Sequence, residues 1–218
     1  MLILAYLSML IDHFGILFFP GDLIFRIIGR LALPIFVIRL CEGYKNTKNF
    51  NNYFLRILFI AIISQPLYYI TFGFASMFEL LNICFLLALG LMSIKILEII
   101  KNKYGNFFFV IFLFIITSIT YFLPIDYGAY GLLMILSVYY LRNDIIKFMI
   151  AITIISTILI PTFSHEIQYI PIVLFPILFY FDEKKFLNYN LNLFGFKYAH
   201  YTFYPLSILL LLILDYIF

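Results

Sequence analysis

The polar chemistry open to this chain is concentrated near its start, in Asp12, His13, Arg26 and Arg30. All four lie inside apolar runs, where a carboxylate or guanidinium at a helix centre costs about 2.5–3.5 kcal/mol on insertion scales. Each therefore needs a partner or a purpose. An imidazole close to fixed guanidinium charge suits proton transfer beside a developing negative charge. The same residues also suit a plain structural role, a buried ion pair joining two helices with a satisfied histidine beside it.

Spacing decides which of them can meet. If the first run ends near Phe19 and the second begins near Asp22, His13 sits ~9 Å deep, Arg26 ~6 Å and Arg30 ~12 Å, at 1.5 Å per residue. His13 then lies at a level between the two arginines. Asp22, Arg26 and Arg30 recur every fourth residue and share one helix face. The Pro20-Gly21 turn is too short to let the two runs separate. Asp12 and His13 are adjacent, so on a helix they point about 100° apart. Asp12 is expected to pair with Arg30 or Arg26, leaving His13 free. Burial is expected to keep that imidazole neutral.

The elements that must hold these groups are membrane helices. Of 218 residues, 65% are apolar and only 11% are charged, against roughly 25% charged in soluble globular proteins. Lipid must be the solvent for most of such a surface. Polar breaks divide the chain into segments at 2–19, 22–43, 51–72, 78–100, 106–123, 128–142, 145–161, 167–181 and 198–217. Most approach the ~20 residues that a spanning helix needs; the sixth to eighth are short enough to be tilted or re-entrant. The expected fold is all-α: one domain over residues 1–218, a polytopic transmembrane bundle of about nine helices.

Alternate connections hold Lys45 and Lys48, Lys101 and Lys103, Arg142 and Lys147, Lys184 and Lys185, while the others hold no Lys or Arg. This positive-inside pattern puts the N-terminus in the cytoplasm of a multi-pass protein of the cell membrane. The first run lacks a basic leader and a small-residue cleavage site, so no signal peptide is expected.

Other polar residues read more plainly. Arg39 stands three residues before Glu42, a spacing for a snorkelling pair. Pro66 frees the carbonyl of Ile62, and Ser64 or Gln65 is expected to repair the kink. Asn82, Gly90 and Ser93 read as interhelical packing and hydrogen-bond positions. Asp126, in the turn Pro124–Gly128, is either solvated or placed to hold a cation arriving from outside. No phosphate loop, GxSxG, HExxH or CxxC occurs, and no basic cluster suits nucleic acid. His13, His165 and His200 lie on different segments, so no metal is expected. Cys41 and Cys84 fall near opposite faces, too far apart for a disulfide. Neither lies near His13 by depth.

The run Met9-Leu10-Ile11-Asp12-His13, then Arg26–Phe36 with Gly29 and Pro34, then Glu42-Gly43 and Thr47, resembles the TraX family of membrane-embedded acetyltransferases. Tyr53 to Arg56, Ser64-Gln65-Pro66, Asn82, Leu89-Gly90 and Asp126-Tyr127-Gly128-Ala129-Tyr130-Gly131 continue the match in order. Lys197-Tyr198 and Tyr204-Pro205 resemble the family's last helix, although Ser207 stands where a histidine commonly follows. The resemblance implies transfer of an acetyl group from cytoplasmic acetyl-CoA to an amine or hydroxyl at the outer face. The acceptor could be a peptide N-terminus, a glycan or a lipid. In that chemistry His13 is the expected base, Arg30 and Arg26 the electrostatic stabilisers, and Asp12 their holder. Lys45, Lys48 and Arg56 are the expected contacts for the CoA phosphates, and Asp126 and Asn82 for the acceptor. Direct transfer is simpler than a cysteine acyl-enzyme. The competing expectation is a small transporter or a pilus assembly factor whose ion pair is a gate or clamp.

Overall fold

The computed structural model describes residues 2–159, 169–183 and 199–217. Among them regular structure is helical, apart from one isolated parallel bridge between Leu81 and Ile125. His165, the pair Lys184 and Lys185 and the pair Lys197 and Tyr198 lie outside the described residues, as does the side chain of His200.

The first apolar run forms α1 (Leu2–Phe18). The second, expected as one helix over 22–43, is broken into α2 (Leu23–Gly29) and α3 (Ala32–Asn46). Pro34 accounts for the break. It offers no N–H to the carbonyl of Arg30, and its ring would collide with that carbonyl in a continuous helix. The chain tightens instead, with Arg30 N–H shared between the carbonyls of Arg26 and Ile27. Asp22 caps α2 by accepting from the Ile24 N–H at 3.0 Å, which satisfies an otherwise orphaned donor.

Asn49 caps α4 (Phe50–Thr71) in the same way, accepting from the Asn52 N–H. Within α4, Ser64 donates back to the carbonyl of Ile60. Gln65 does not repair the Pro66 kink as expected; it turns outward and donates to the carbonyls of Met77 and Leu80. The fourth segment was expected to begin near 78, yet α5 starts only at Ile83 and runs to Phe122. Gly105, at φ 83°, interrupts it at the expected break between the fourth and fifth segments.

The remaining helices are α6 (Gly128–Leu141), α7 (Ile145–Leu159), α8 (Ile170–Glu183) and α9 (Ala199–Ile217). α4 and α5, with mean hydropathy 1.5 and 2.3 over their most apolar stretches, are long and apolar enough to cross a membrane. The exposed surface carries Phe59, Phe107, Phe114 and Ile146, an apolar exterior that matches association with lipid.

α3 and α6 sit at the centre. Leu33, Ile35, Val37 and Ile38 of α3 pack with Leu91 and Ile94 of α5 and with Leu132, Ile135 and Val138 of α6. Gly90 meets Ile135 closely enough to leave no room for a Cβ, as its reading as a packing position implied. α1 packs on α2, α3 and α9, and α4 packs on α5 and α9. This arrangement gathers the polar residues of α1, α2 and α4 with the α5–α6 turn at one end of the bundle. Lys45 and Lys48 lie at the opposite end of α3.

Candidate functional site

Glycine lets α1 and α2 approach until side chain meets backbone. A Cβ on Gly29 would stand 2.2 Å from Asp12 Oδ1, so only glycine fits there. Asp12 consequently lies against α2 and receives both guanidinium groups. Arg26 Nη1 donates to Oδ2 at 3.0 Å. Arg30 Nη1 stands 3.6 Å from Oδ1, an ion pair but too long for a hydrogen bond. The pairing expected from spacing is therefore formed, with one carboxylate serving two arginines.

The cluster is not saturated. Arg30 is 2% exposed, and its Nε has no hydrogen-bond partner, nor has Asp12 Oδ1. Buried polar atoms are normally paired, and leaving one unpaired costs about 1–3 kcal/mol. His13 adds a third such atom, its buried Nδ1. The imidazole faces away from Asp12, with the Phe72 ring at 5.1 Å and the Tyr204 ring at 6.3 Å.

The α5–α6 turn closes the cluster from above. Leu81 N–H donates to the carbonyl of Pro124 and Asp126 N–H to that of Leu81, which fastens residues 124–126 to the segment before α5. Tyr127 is held in the left-handed region at φ 61°, a conformation costing a non-glycine residue about 1–2 kcal/mol. The strain is repaid by placement, because Arg30 Nη1 donates to the Tyr127 hydroxyl at 3.2 Å. Asp126 is half-buried beside the same guanidinium. Burial pushes its carboxyl up to about 6, with Arg30 drawing it the other way.

A cavity of about 410 Å³ runs up from the other end of the bundle. Arg39, Glu42 and Asn46 border it at the Lys45 end, and Met9, Cys84 and Tyr204 border it at the far end. Its walls between are apolar. Met9 precedes His13 by one helical turn on the same face of α1, so the cavity ends about one turn short of His13, which does not itself line it.

A family model described as TraX protein matches residues 1–215. The chain belongs to the TraX family. It is also similar to a protein of Dichelobacter nodosus named as probable fimbrial assembly protein FimC, serogroup H1. The two are 25% identical over 232 residues, covering 96% of this chain and 91% of that one. No solved structure matches it.

Within this TraX chain the expected site residues divide. Asp12, His13, Arg26, Arg30 and Asp126 come together at one end. Asn82 does not join them as an acceptor contact. It is fully buried, its amide donates to the carbonyl of Ala61 and to Gln65 Oε1, and its Oδ1 accepts from the Cys84 N–H as the cap of α5. Both of its amide donors are used and the side chain is fully buried, so it is not open to a ligand. The cavity mouth passes by Arg39, Glu42 and Asn46 rather than Lys45, Lys48 and Arg56. Lys45 lies over the Tyr139 ring, Lys48 is exposed in the α3–α4 connection, and Arg56 donates to its own helix at the carbonyl of Asn52. The Arg39–Glu42 pair expected from spacing is present, and Arg142 joins it at 3.2 Å.

Two contributors escaped the sequence reading. Tyr127 stood in the matched run Asp126–Gly131, but nothing local signalled that its hydroxyl would meet Arg30. Cys84 was set apart from His13 by depth, but the capping network of Asn82 and Gln65 draws the start of α5 inward, so Cys84 lines the cavity beside Tyr204. Ser207 does not replace the family's histidine, since its hydroxyl donates to the carbonyl of Tyr204 within α9.

Proposed function

We propose that this TraX-family chain is a multi-pass membrane acetyltransferase that carries an acetyl group from acetyl-CoA, entering from the cytoplasmic side, to an acceptor at the outer face. The observation that supports it is a long apolar cavity that ends one helical turn from an imidazole whose buried Nδ1 has no hydrogen-bond partner. Along α3 the lining runs from Phe36 to Asn46, about 15 Å at 1.5 Å per residue. A pantetheine arm is a thin chain of comparable reach. Its thioester would arrive at Met9, Cys84 and Tyr204, with the nucleotide left near Arg39, Asn46 and the exposed Lys45 and Lys48.

The acceptor approaches from the opposite end, past Asp126. Its nitrogen lone pair adds to the acetyl carbon while the N–H proton passes to His13. The C–S bond then breaks, and the departing CoA thiolate takes that proton from the imidazolium. Amine and thioester become amide and thiol, with no other reactant. Arg26 and Arg30, anchored by Asp12, set a positive field over the developing charge. The fimbrial name of the Dichelobacter relative favours a peptide N-terminus as the acceptor.

A second reading, a fimbrial or pilus assembly factor without catalysis, draws on that same name. Labelled acetyl-CoA separates the two. Purified chain in detergent should transfer label to a short peptide, and His13→Ala should lower turnover by about 10²–10⁴-fold at unchanged folded yield. Cys84→Ser should keep its turnover if transfer is direct. A wild-type chain that never consumes acetyl-CoA leaves the assembly factor standing alone.

A further inference from the structure

Several hydroxyl groups on the described helices are quenched by their own backbone. Ser64 donates to Ile60, Thr120 to Ile116 and Ser207 to Tyr204. Tyr204 cannot do this, because a phenol projects too far from its own helix. It is 6% exposed, and its hydroxyl is buried without a hydrogen-bond partner. Several other buried side-chain atoms among the described residues share that condition, but Tyr204 is the one that also lines the cavity. It stands at the inner end with Met9 and Cys84, and its ring lies 6.3 Å from that of His13.

An O–H kept dry and unpaired has a place for an acceptor. The ligand that enters this cavity under the acetyl-transfer reading brings one to that position, the carbonyl oxygen of the thioester. We infer that Tyr204 is a catalytic residue whose hydroxyl donates a hydrogen bond to that oxygen. When the acceptor nitrogen forms its bond to the acetyl carbon, the carbonyl electron pair moves to oxygen and the Tyr204 O–H holds it there. When the pair returns, the C–S bond breaks, and Tyr204 keeps its proton throughout. Arg26 Nη1 is taken by Asp12 and Arg30 Nη1 by Tyr127, and neither arginine lines the cavity, so the phenol supplies the short-range donor that their longer-range field does not.

The inference rests on the acetyl-transfer reading, and one experiment separates their failures. Full-length chain is assayed with labelled acetyl-CoA and a short peptide acceptor, as wild type and as Tyr204→Phe, which keeps the ring and its packing. The expected result is a fall in kcat of about 10²–10³-fold, the cost of removing one oxyanion donor, with the KM for acetyl-CoA and the thermal midpoint unchanged. The dithioester analogue, whose sulfur is a poor acceptor, should be turned over with little difference between the two proteins. A merely structural tyrosine would shift the midpoint and treat both donors alike. Undiminished kcat in Tyr204→Phe, beside an active wild type, removes Tyr204 from the mechanism and spares the acetyl-transfer reading. An inactive wild type overturns both.

Discussion

The two ends of this bundle hold the same set of charges in different conditions. At one end Asp12 lies between Arg26 and Arg30; at the other Glu42 lies between Arg39 and Arg142. The Glu42 set is a quarter exposed on its carboxylate side and a fifth on its arginines. The Asp12 set has the drier carboxylate, 13% exposed, and one arginine, Arg30, at 2%, while Arg26 stays 28% exposed; it leaves Asp12 Oδ1 and Arg30 Nε unpaired next to the unpaired Nδ1 of His13. A network that satisfies itself in partial contact with water stiffens a fold. A network that stays open while buried is held in readiness for something else. Composition is the same in both, so the distinction lies in burial and in unpaired atoms.

Removing each carboxylate's charge should therefore have unequal effects. Asp12→Asn leaves the buried Arg30 guanidinium without its counter-charge, which should cost about 3–5 kcal/mol. Glu42→Gln acts on a partly hydrated pair and should cost no more than about 1 kcal/mol. Thermal midpoints of the two variants in the same detergent measure the difference. Equal shifts would erase the contrast between the two ends.

The glycine beside each cluster gives a smaller test. A methyl on Gly29 would press on the Cβ and carboxylate of Asp12, atoms close to the α1 backbone that cannot swing aside. A methyl on Gly43 would meet chiefly the hydroxyl end of Tyr53, which can. Gly29→Ala should cost about 1–3 kcal/mol through overpacking and should disturb the Asp12–Arg26 bond, while Gly43→Ala should be milder. Midpoints again decide it, and a larger loss at Gly43 would count against the packing described for α1 and α2.

What the sequence disclosed about these ends follows the range of the interactions. Asp12 with its arginines was legible because Pro20-Gly21 ties the two runs together and helical rise fixes their levels. Arg39 with Glu42 was legible from a spacing of three. The break at Arg30 had a signal four residues downstream in Pro34, whose missing N–H tells on the preceding turn. The cavity had none, since α1, α3, α4, α5 and α9 border it and no local pattern reports how distant helices pack. Cys84 was misplaced although the same count from 78 puts it ~9 Å deep, the level of His13; Gln65 and Asn82 then fix the start of α5 against α4. Tyr204 could be named from its place beside Pro205, but not its proximity to His13.

The open end also carries a second carboxylate, Asp126, beside Arg30. With Asp126 ionised, two carboxylates balance Arg26 and Arg30, and a cationic amine can be drawn toward the turn. Burial holds this carboxyl at about 6 rather than 3.8. The folded chain thus favours its protonated form, so its contribution to stability is greatest below pH 3.8 and is lost as pH rises to about 6. Above that, Asp126 is charged and able to receive the acceptor. The KM for a peptide amine should accordingly fall as pH rises through 6, by about fivefold if the pair contributes about 1 kcal/mol. Asp126→Asn should flatten the profile, and an uncharged alcohol acceptor should show no such dependence in either protein. A peptide KM that ignores both pH and this substitution would return Asp126 to the role of a turn residue, and would leave the unpaired atoms of Asp12, His13 and Arg30 as the open end's whole distinction.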